Sequence, residues 1–584
     1  MINKLKYIIP VAMILVFSSC KKEFLNINTD PNNPTDAPID LLLPTAQRTL
    51  GDALSMGGGN NGGLSQILEV YVHRISTREE ADQYGALGNE FYTSLAWPKF
   101  YSSSPPPGES APLNGILQNL DEIISKSTAD NNLYYRGIAK VMKAYTYSQL
   151  VDVFGDVPFS EANKLNDSEN PVIYPKFDSG AEIYPQLFTM LDEALADLAT
   201  PAADAGPLQP SDDDVIFGGD AVLWTKAANT IKLKLYNQLR EVQDVSAQVT
   251  TLLATPANLI AATSESFMLP YGSLGATDDR NPAFAEYFAT QRSNHISPWF
   301  YEIMKGRNQG ILNGNPDPRI PYYFYNQIAA DQPTREGNQT EYRDGPFVSI
   351  YFGSVGPDRD RTQQNTISVL GLYPAGGRYD EGDAIAVDAT SGTGAAPYRF
   401  ITYADRLYIE AELIQAGVVA GDARGVLEDA ILESFATVDA VTAMASPNQA
   451  VPNLVAGGTP SAEVATYITN ALAEFDAGSA EKKLQVIMTQ KWIQSFGNGV
   501  EAYNDIRRTG YPVLFDPNNP AMAPGGFVQP PVNGDPIVSP QKAVPVLLSR
   551  TYPLTLPWVD DELETNPNAP DQKSPQTFKP FWMP

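Results

Sequence analysis

Apolar residues return every three or four positions in five separate stretches, and that period limits the fold more than any other feature. Ile138, Val141, Met142 and Tyr145 share one helix face, and so do Ile183, Leu187, Met190, Leu191, Ala194 and Leu198. Trp224, Ala228, Ile231, Leu235 and Leu239 repeat the pattern, followed by Tyr403, Leu407, Tyr408, Ala411 and Ile414. Leu484, Ile487, Met488, Trp492 and Phe496 complete the set. Each such helix has one stripe to bury, so the helices must pack on one another. Strand signals are short and isolated, which argues against a large sheet.

Between about 264 and 397, and again after Gly510, the helical period is lost. Gly, Pro, Asn and Asp punctuate these stretches, and the chain holds 48 Pro and 43 Gly in all. The expectation is a mainly α fold: a helical scaffold with long irregular loops and few short strands. Loops on a rigid scaffold are where binding usually resides.

The N-terminus reads as a targeting device. Lys4 and Lys6 precede an apolar run, Tyr7 to Phe17, too short to cross a hydrocarbon core of about 30 Å. Ser18 and Ser19 then lead into Cys20, as in a lipobox, although Phe17 stands where leucine is usual. Residues 1–19 are therefore expected to be a lipoprotein signal peptide, with Cys20 lipidated. Residues 20–38, rich in Asn and Pro, would form the anchor and tether, and residues 39–584 the binding body. Cys20 is the sole cysteine, which excludes a disulfide within the chain. No later segment is apolar for long enough to span a membrane, so lipid is the attachment expected.

The formal charge of −28 argues against nucleic acid as a partner. Two histidines, His73 and His295, fit no metal-binding pattern and are expected to be polar loop or helix residues. Neither a metal nor a cofactor is expected. G-x-S-x-G is absent, and the G-x-G-x-x-G of Gly57, Gly59 and Gly62 follows a helical pattern rather than a strand, so it reads as a loop. The acidic pairs Asp212–Asp214, Asp278–Asp279 and Asp560–Glu562 read as solvated turns. Trp97, Phe100 and Tyr101 lie at helical spacing and are expected in the core, as is Trp492. Tyr322 and Tyr323 are expected to pack.

Six blocks, in order along the chain, resemble the SusD/RagB family. They are FLNINTDPNNPT (Phe24–Thr35), YRGIAKVMKAYTYSQLVDVFGDVPFSEA (Tyr135–Ala162), DPRIPYYF (Asp317–Phe324), YADRLYIEAELI (Tyr403–Ile414), MTQKWIQSFGNGVEAYNDIRRTGYP (Met488–Pro512) and LPWVDDELETNPN (Leu556–Asn568). The resemblance implies one α-rich body of tetratricopeptide-like helix pairs. It also implies a lipid-anchored protein on the outer membrane that acts as a lid on a SusC-like TonB-dependent transporter and captures glycans or peptides for import. Lys21, Lys22 and Glu23 loosely resemble the family's surface-export signal, which usually carries more acid. A binding protein for oligosaccharide, without enzymatic activity, is the leading reading. A peptide or glycopeptide receptor, a surface glycoside hydrolase and a purely structural lid are the alternatives.

Ligand residues are not carried over from the family. A sugar site should combine exposed aromatic faces with hydrogen-bonding side chains on loops. Two segments meet that description, Tyr71–Tyr84 (YVHRISTREEADQY) and Arg292–Tyr301 (RSNHISPWFY). Tyr71, Tyr84 and Trp299 are the candidate stacking surfaces, with Arg78 and Asn294 as polar partners, and Pro298 and Trp299 should begin a helix. If so, alanine at Trp299 should weaken binding about tenfold and leave the melting temperature unchanged.

Overall fold

Short polar side chains start the main helices. Ser179 and Glu182 form a reciprocal capping box before helix 180–198, and Thr402 with Asp405 does the same for helix 403–415. Asp220 accepts hydrogen bonds from the backbone N–H of Val222 and Leu223, and Ser479 from that of Lys482. The computed structural model describes residues 37–57, 63–78, 82–101, 115–165, 170–275, 278–289, 292–516 and 546–584. The signal peptide, Cys20, most of the tether and the Phe24–Thr35 block lie outside the described residues, as do Gly59 and Gly62.

The scaffold is a succession of helices: α1 (Ile39–Leu54), α2 (Ser65–Tyr71), α3 (Ala86–Tyr101), α4 (Ile116–Asp130), α5 (Leu133–Phe154), α6 (Gly180–Leu198) and α7 (Ala221–Leu239). Within the irregular middle lies α8 (Pro298–Met304), and after it come α9 (Tyr403–Gln415), α10 (Ala423–Ala445), α11 (Ala462–Ala477), α12 (Ala480–Gln494) and α13 (Gly499–Thr509). Sequence neighbours pack as pairs: α4 on α5, α5 on α6, α9 on α10 and α11 on α12. Only Asn131 and Asn132 join α4 to α5, and Asn131 takes the left-handed conformation that turns the chain back (φ 57°). The expected helix pairs are present, and the five stripes supply their contacts. Leu187, Leu191, Ala194 and Leu198 of α6 are buried, together with Ile138, Val141 and Met142 of α5. Gly137 lets the two helices close up, because a Cβ there would lie 2.9 Å from Leu198 Cγ.

Strands among the described residues occur as two-stranded antiparallel ribbons. One contiguous apolar core runs from Ile39 to Trp582. The stretch from 264 to 397 carries the few short strands and long irregular connections expected of it. Its short helices and ribbons pack largely on the main core, and Phe284, Tyr287, Tyr325, Ile328, Val348, Ile367, Val369 and Val387 form a second apolar cluster. The C-terminal stretch returns to α5, where the N–H of Leu556 donates to the Val153 carbonyl at 2.9 Å and Trp582 is fully buried.

Buried charge ties five helices together. The Glu412 carboxylate on α9 accepts two bonds from Arg508 on α13, each 2.9 Å, and one from Arg240 just beyond α7 at 2.7 Å. Arg508 also reaches Asp505 at 2.6 Å, and Asp505 pairs with Lys491 of α12 at 2.9 Å. Lys234 of α7 pairs with Glu501 of α13 at 2.9 Å, and Asp152 of α5 accepts from Asn504 at 3.1 Å. Burial alone would raise the Glu412 pKa, but Arg508, Arg240 and Lys491 outweigh it and hold the carboxyl at about 2. The acidic segment near Asp214 is also structural. Asp214 is buried and accepts from Trp224 Nε1 and Gln47 Nε2, each at 2.6 Å, which corrects its reading as a solvated turn. Asp278 is exposed and pairs with Arg280, and Asp279 is half-buried and pairs with Arg48.

Candidate ligand pocket

An antiparallel ribbon joins the two segments singled out in the sequence. β1 (Ile75–Thr77) pairs with β2 (Asn294–Ile296) in the register Ile75 to Ile296, Ser76 to His295 and Thr77 to Asn294. The pairing extends one step further, as the Arg78 N–H donates to the Ser293 carbonyl at 2.7 Å. The other edge of β1 is closed by the Gln83 side chain, which both accepts from Thr77 N–H (2.9 Å) and donates to its carbonyl (3.0 Å).

The ribbon is fixed to the helical core at its start. Arg74 is fully buried, forms a 2.7 Å ion pair with Glu69 of α2, and donates to the Trp492 carbonyl and Ser495 Oγ at the end of α12. Its own carbonyl accepts from Ser297 N–H at 2.9 Å, which holds the far end of β2. The sheet period therefore places Ser76 and His295 on one face of a ribbon tied to the helical core through Arg74.

Beyond the end of this ribbon lies a cavity of about 390 Å³, lined by Arg78, Arg292, His295, Arg359, Asp360, Arg361, Thr362, Gln363, Gln364 and Ile367. The loop 359–364 makes the opposite wall. Arg292 fastens that wall to the ribbon by donating to the Gln364 carbonyl, and also donates to the Tyr287 carbonyl at 2.9 Å. The Gln363 amide donates to the Gln339 carbonyl at 2.6 Å. Burial depresses the His295 pKa to about 3, assisted by the charges of Arg78, Arg292 and Arg359, so its ring is neutral. Burial also lowers Arg292 to about 10, which leaves it charged at neutral pH. The lining is thus mainly guanidinium and amide, suited to hydrogen-bonding an oxygen-rich ligand.

Arg78 is the one expected ligand residue that lines the cavity. Asn294 sits beside it at the end of the ribbon and donates to Glu286 at 3.1 Å. The three candidate rings lie elsewhere, which corrects the expectation of exposed stacking faces. Tyr71 is the last residue of α2, fully buried, and packs edge-on to Tyr84 with ring centres 5.8 Å apart and against Tyr503 at 5.8 Å. Tyr84 is buried against Tyr552 and bonds the His73 ring, which stacks on Phe352 at 3.8 Å. Trp299 occupies the start of α8 after Pro298, where a helix was expected, but is only 5% exposed and packs on Phe515 at 5.4 Å. The reason is common to all three: each ring is carried on or against a helix whose neighbours already cover it. Trp97, Phe100, Tyr322, Tyr323 and Trp492 are buried, as expected. His73 is a core residue, its pKa depressed to about 3 by burial.

Sequence reasoning missed the loop wall. Its signal is the alternating Asp358-Arg359-Asp360-Arg361 run, which resembles any solvated turn until the fold brings it to the ribbon. Among the described residues, no group of His, Cys, Asp or Glu side chains could hold a metal ion, and no helix is long and apolar enough to cross a membrane.

Comparison with known proteins places this geometry in a family. The family model SusD-like_2, described as starch-binding and associating with the outer membrane, matches residues 104–530. A solved SusD homologue from Bacteroides fragilis superposes with a TM-score of 0.61 at 17% identity, over 94% of this chain and 99% of that one. A structure described as a chitin-binding protein gives 0.60 at 20% identity, over 91% and 95%. A SusD/RagB family protein from Bacteroides thetaiotaomicron gives 0.60 at 18%, also over 91% and 95%. No curated protein matches the chain in sequence. At these identities the structures share the fold, and the family model covers most of the chain: it belongs to the SusD-like family of outer-membrane-associated binding proteins.

Proposed function

We propose that this protein is a cell-surface lipoprotein that captures oligosaccharide nutrients in the pocket between β1, β2 and the 359–364 loop, and delivers them to a SusC-like TonB-dependent transporter. The observation that carries the reading is the pocket itself: a cavity of about 390 Å³ walled by charged and amide side chains on a SusD-like scaffold. A cavity of that size suits one or two sugar rings, whose hydroxyls guanidinium and amide groups can bond. Among the described lining residues Asp360 is the one carboxylate, whereas glycoside hydrolysis works with a flanking pair, which favours capture over cleavage.

The test is calorimetric titration with a panel of oligosaccharides, with a peptide library as the competing arm. Thr362 is exposed on the rim of the pocket, so Thr362→Trp should fill it. Binding should fall at least about a hundredfold, near 2.7 kcal/mol, with the melting temperature unchanged. Undiminished binding in that variant would move the site elsewhere, and binding confined to peptides would favour the peptide-receptor reading.

Anchoring is tested separately at Cys20. Cys20→Ala should shift the protein from the membrane fraction to the soluble fraction, or leave its signal peptide attached, because acyl chains supply the membrane affinity. Unchanged partition would remove the lipoprotein reading without touching the binding one.

A further inference from the structure

The pocket's charge runs against that of the molecule. Four arginines, Arg78, Arg292, Arg359 and Arg361, line it, with Asp360 as the one carboxylate among the described lining residues, while the chain carries −28 overall. Arg359 reaches Asp360 only at 3.8 Å, and Arg361 reaches Asp358 at 3.5 Å. Neither distance makes the short paired contact that Arg and carboxylate adopt when they satisfy each other. Arg292 directs two of its donors to the neutral carbonyls of Tyr287 and Gln364.

The carboxylates behind the wall, Glu341 near Arg359 among them, already accept from other donors. Glu286 and Glu336 act on Arg292 from a distance, but they are not among the lining residues. Glu286 accepts from Asn294, and Glu336 from Asn365 N–H and Thr366 Oγ1. Two lining arginines keep a buried N–H group with no hydrogen-bond partner among the described residues, at Arg292 Nε and Arg359 Nη2. Arg292 and His295 are more than nine-tenths buried. Arg78, Arg292 and Arg359 line the same cavity as the one His295 ring, so their charges are gathered at one place. Unpaired buried donors and gathered like charges both raise the free energy of an empty site, and one anion relieves both.

We propose that the pocket recognises an acidic sugar, a carboxylate- or sulfate-bearing residue of an oligosaccharide, whose anionic group sits among Arg292, Arg359 and Arg361. This rests on the capture of oligosaccharide proposed above and adds its chemical class. The acidic exterior then has a use. It repels large polyanions at the range of the Debye length, about 10 Å at 0.1 M salt, while a short acidic oligosaccharide that enters meets the arginines at contact distance.

The experiment titrates the full chain in detergent with tetragalacturonic acid, a κ-carrageenan tetrasaccharide, maltotetraose, chitotetraose and an oligoglutamate peptide. The first probe carries carboxylates and the second sulfates, so the two arms separate the sources of negative charge. At least one acidic sugar should bind about tenfold more tightly than either neutral one, and its affinity should fall severalfold between about 50 and 500 mM NaCl. Arg361→Gln, on a largely exposed side chain, should weaken acidic binding, and Arg359→Gln with Arg361→Gln should lower it at least about tenfold, with melting unchanged and a smaller loss for the neutral sugars. Equal affinity for neutral sugars would overturn the acidic assignment and leave oligosaccharide capture intact. Acidic binding that ignores both substitutions, or binding of oligoglutamate alone, would overturn it as well. If none of the sugars binds, the capture reading falls and this assignment falls with it.

Discussion

Glu412→Ala should destabilise the protein by about 3–5 kcal/mol, read as a lowered midpoint of chemical denaturation. The carboxylate is fully buried and takes bonds from Arg508, Arg240 and Asn237. Its removal leaves two guanidiniums short of a counter-charge, and breaking a buried pair from one side typically costs that much. Glu412→Leu combined with Arg508→Leu should recover part of the loss, because it removes one of the two stranded guanidiniums, while Arg240 keeps Glu241 and Asp505 keeps Lys491. The pH dependence has a definite sign. The folded pKa of about 2 lies below the ordinary 4.5, so the stabilisation is present above pH 4.5 and is lost as pH falls towards 2. In that window wild type should lose stability faster than Glu412→Ala. Equal denaturation midpoints at neutral pH would show that the network contributes little.

Trp299→Ala should also cost about 3–5 kcal/mol, as expected for deleting a buried aromatic side chain. The ring belongs to the main core and packs on Phe515, and the bond that holds β2 in place, Ser297 N–H to Arg74 carbonyl, lies two residues before it. This reverses the outcome expected from the sequence, where weaker binding at constant stability was the signature of a stacking surface. Thermal melts of the variant, with titration of the fraction that remains folded, separate the two. A tenfold loss of affinity at an unchanged melting temperature would return Trp299 to the ligand site.

The two variants mark what was legible in the sequence and what was not. Helices were legible because one buried face imposes a period, and Ile183 to Leu198 announces its partner surface without reference to any other element. The blocks that carry the family resemblance were legible for a different reason. Asp152, Glu412, Lys491, Glu501, Asp505 and Arg508 all lie within them and meet in the buried ionic network, so those blocks encode the joints of the scaffold. The pocket was half legible. Both strands of the ribbon that frames it, and Arg78 within it, stood in the chosen segments. Exposure was not legible, since a tyrosine at the end of a short helix reads the same whether its next neighbour is water or Tyr503. Nor was the third wall, because the short charged turn at 358–361 has no period and gains its meaning only from what it faces.

The ribbon between β1 and β2 bears on how the molecule is made. Its strands are separated in the chain by α3 to α7, and the 359–364 wall is synthesised later still. Such non-local pairing requires closure of a long loop before any contact rewards it, so it belongs to the slow, late part of folding. As the chain emerges from its N-terminus, the first helical hairpins can form with neighbours already present, while the pocket waits for distant segments. Ligand binding is then an assay of completed folding, and a chain truncated before the 359–364 wall would keep helical hairpins yet hold no ligand.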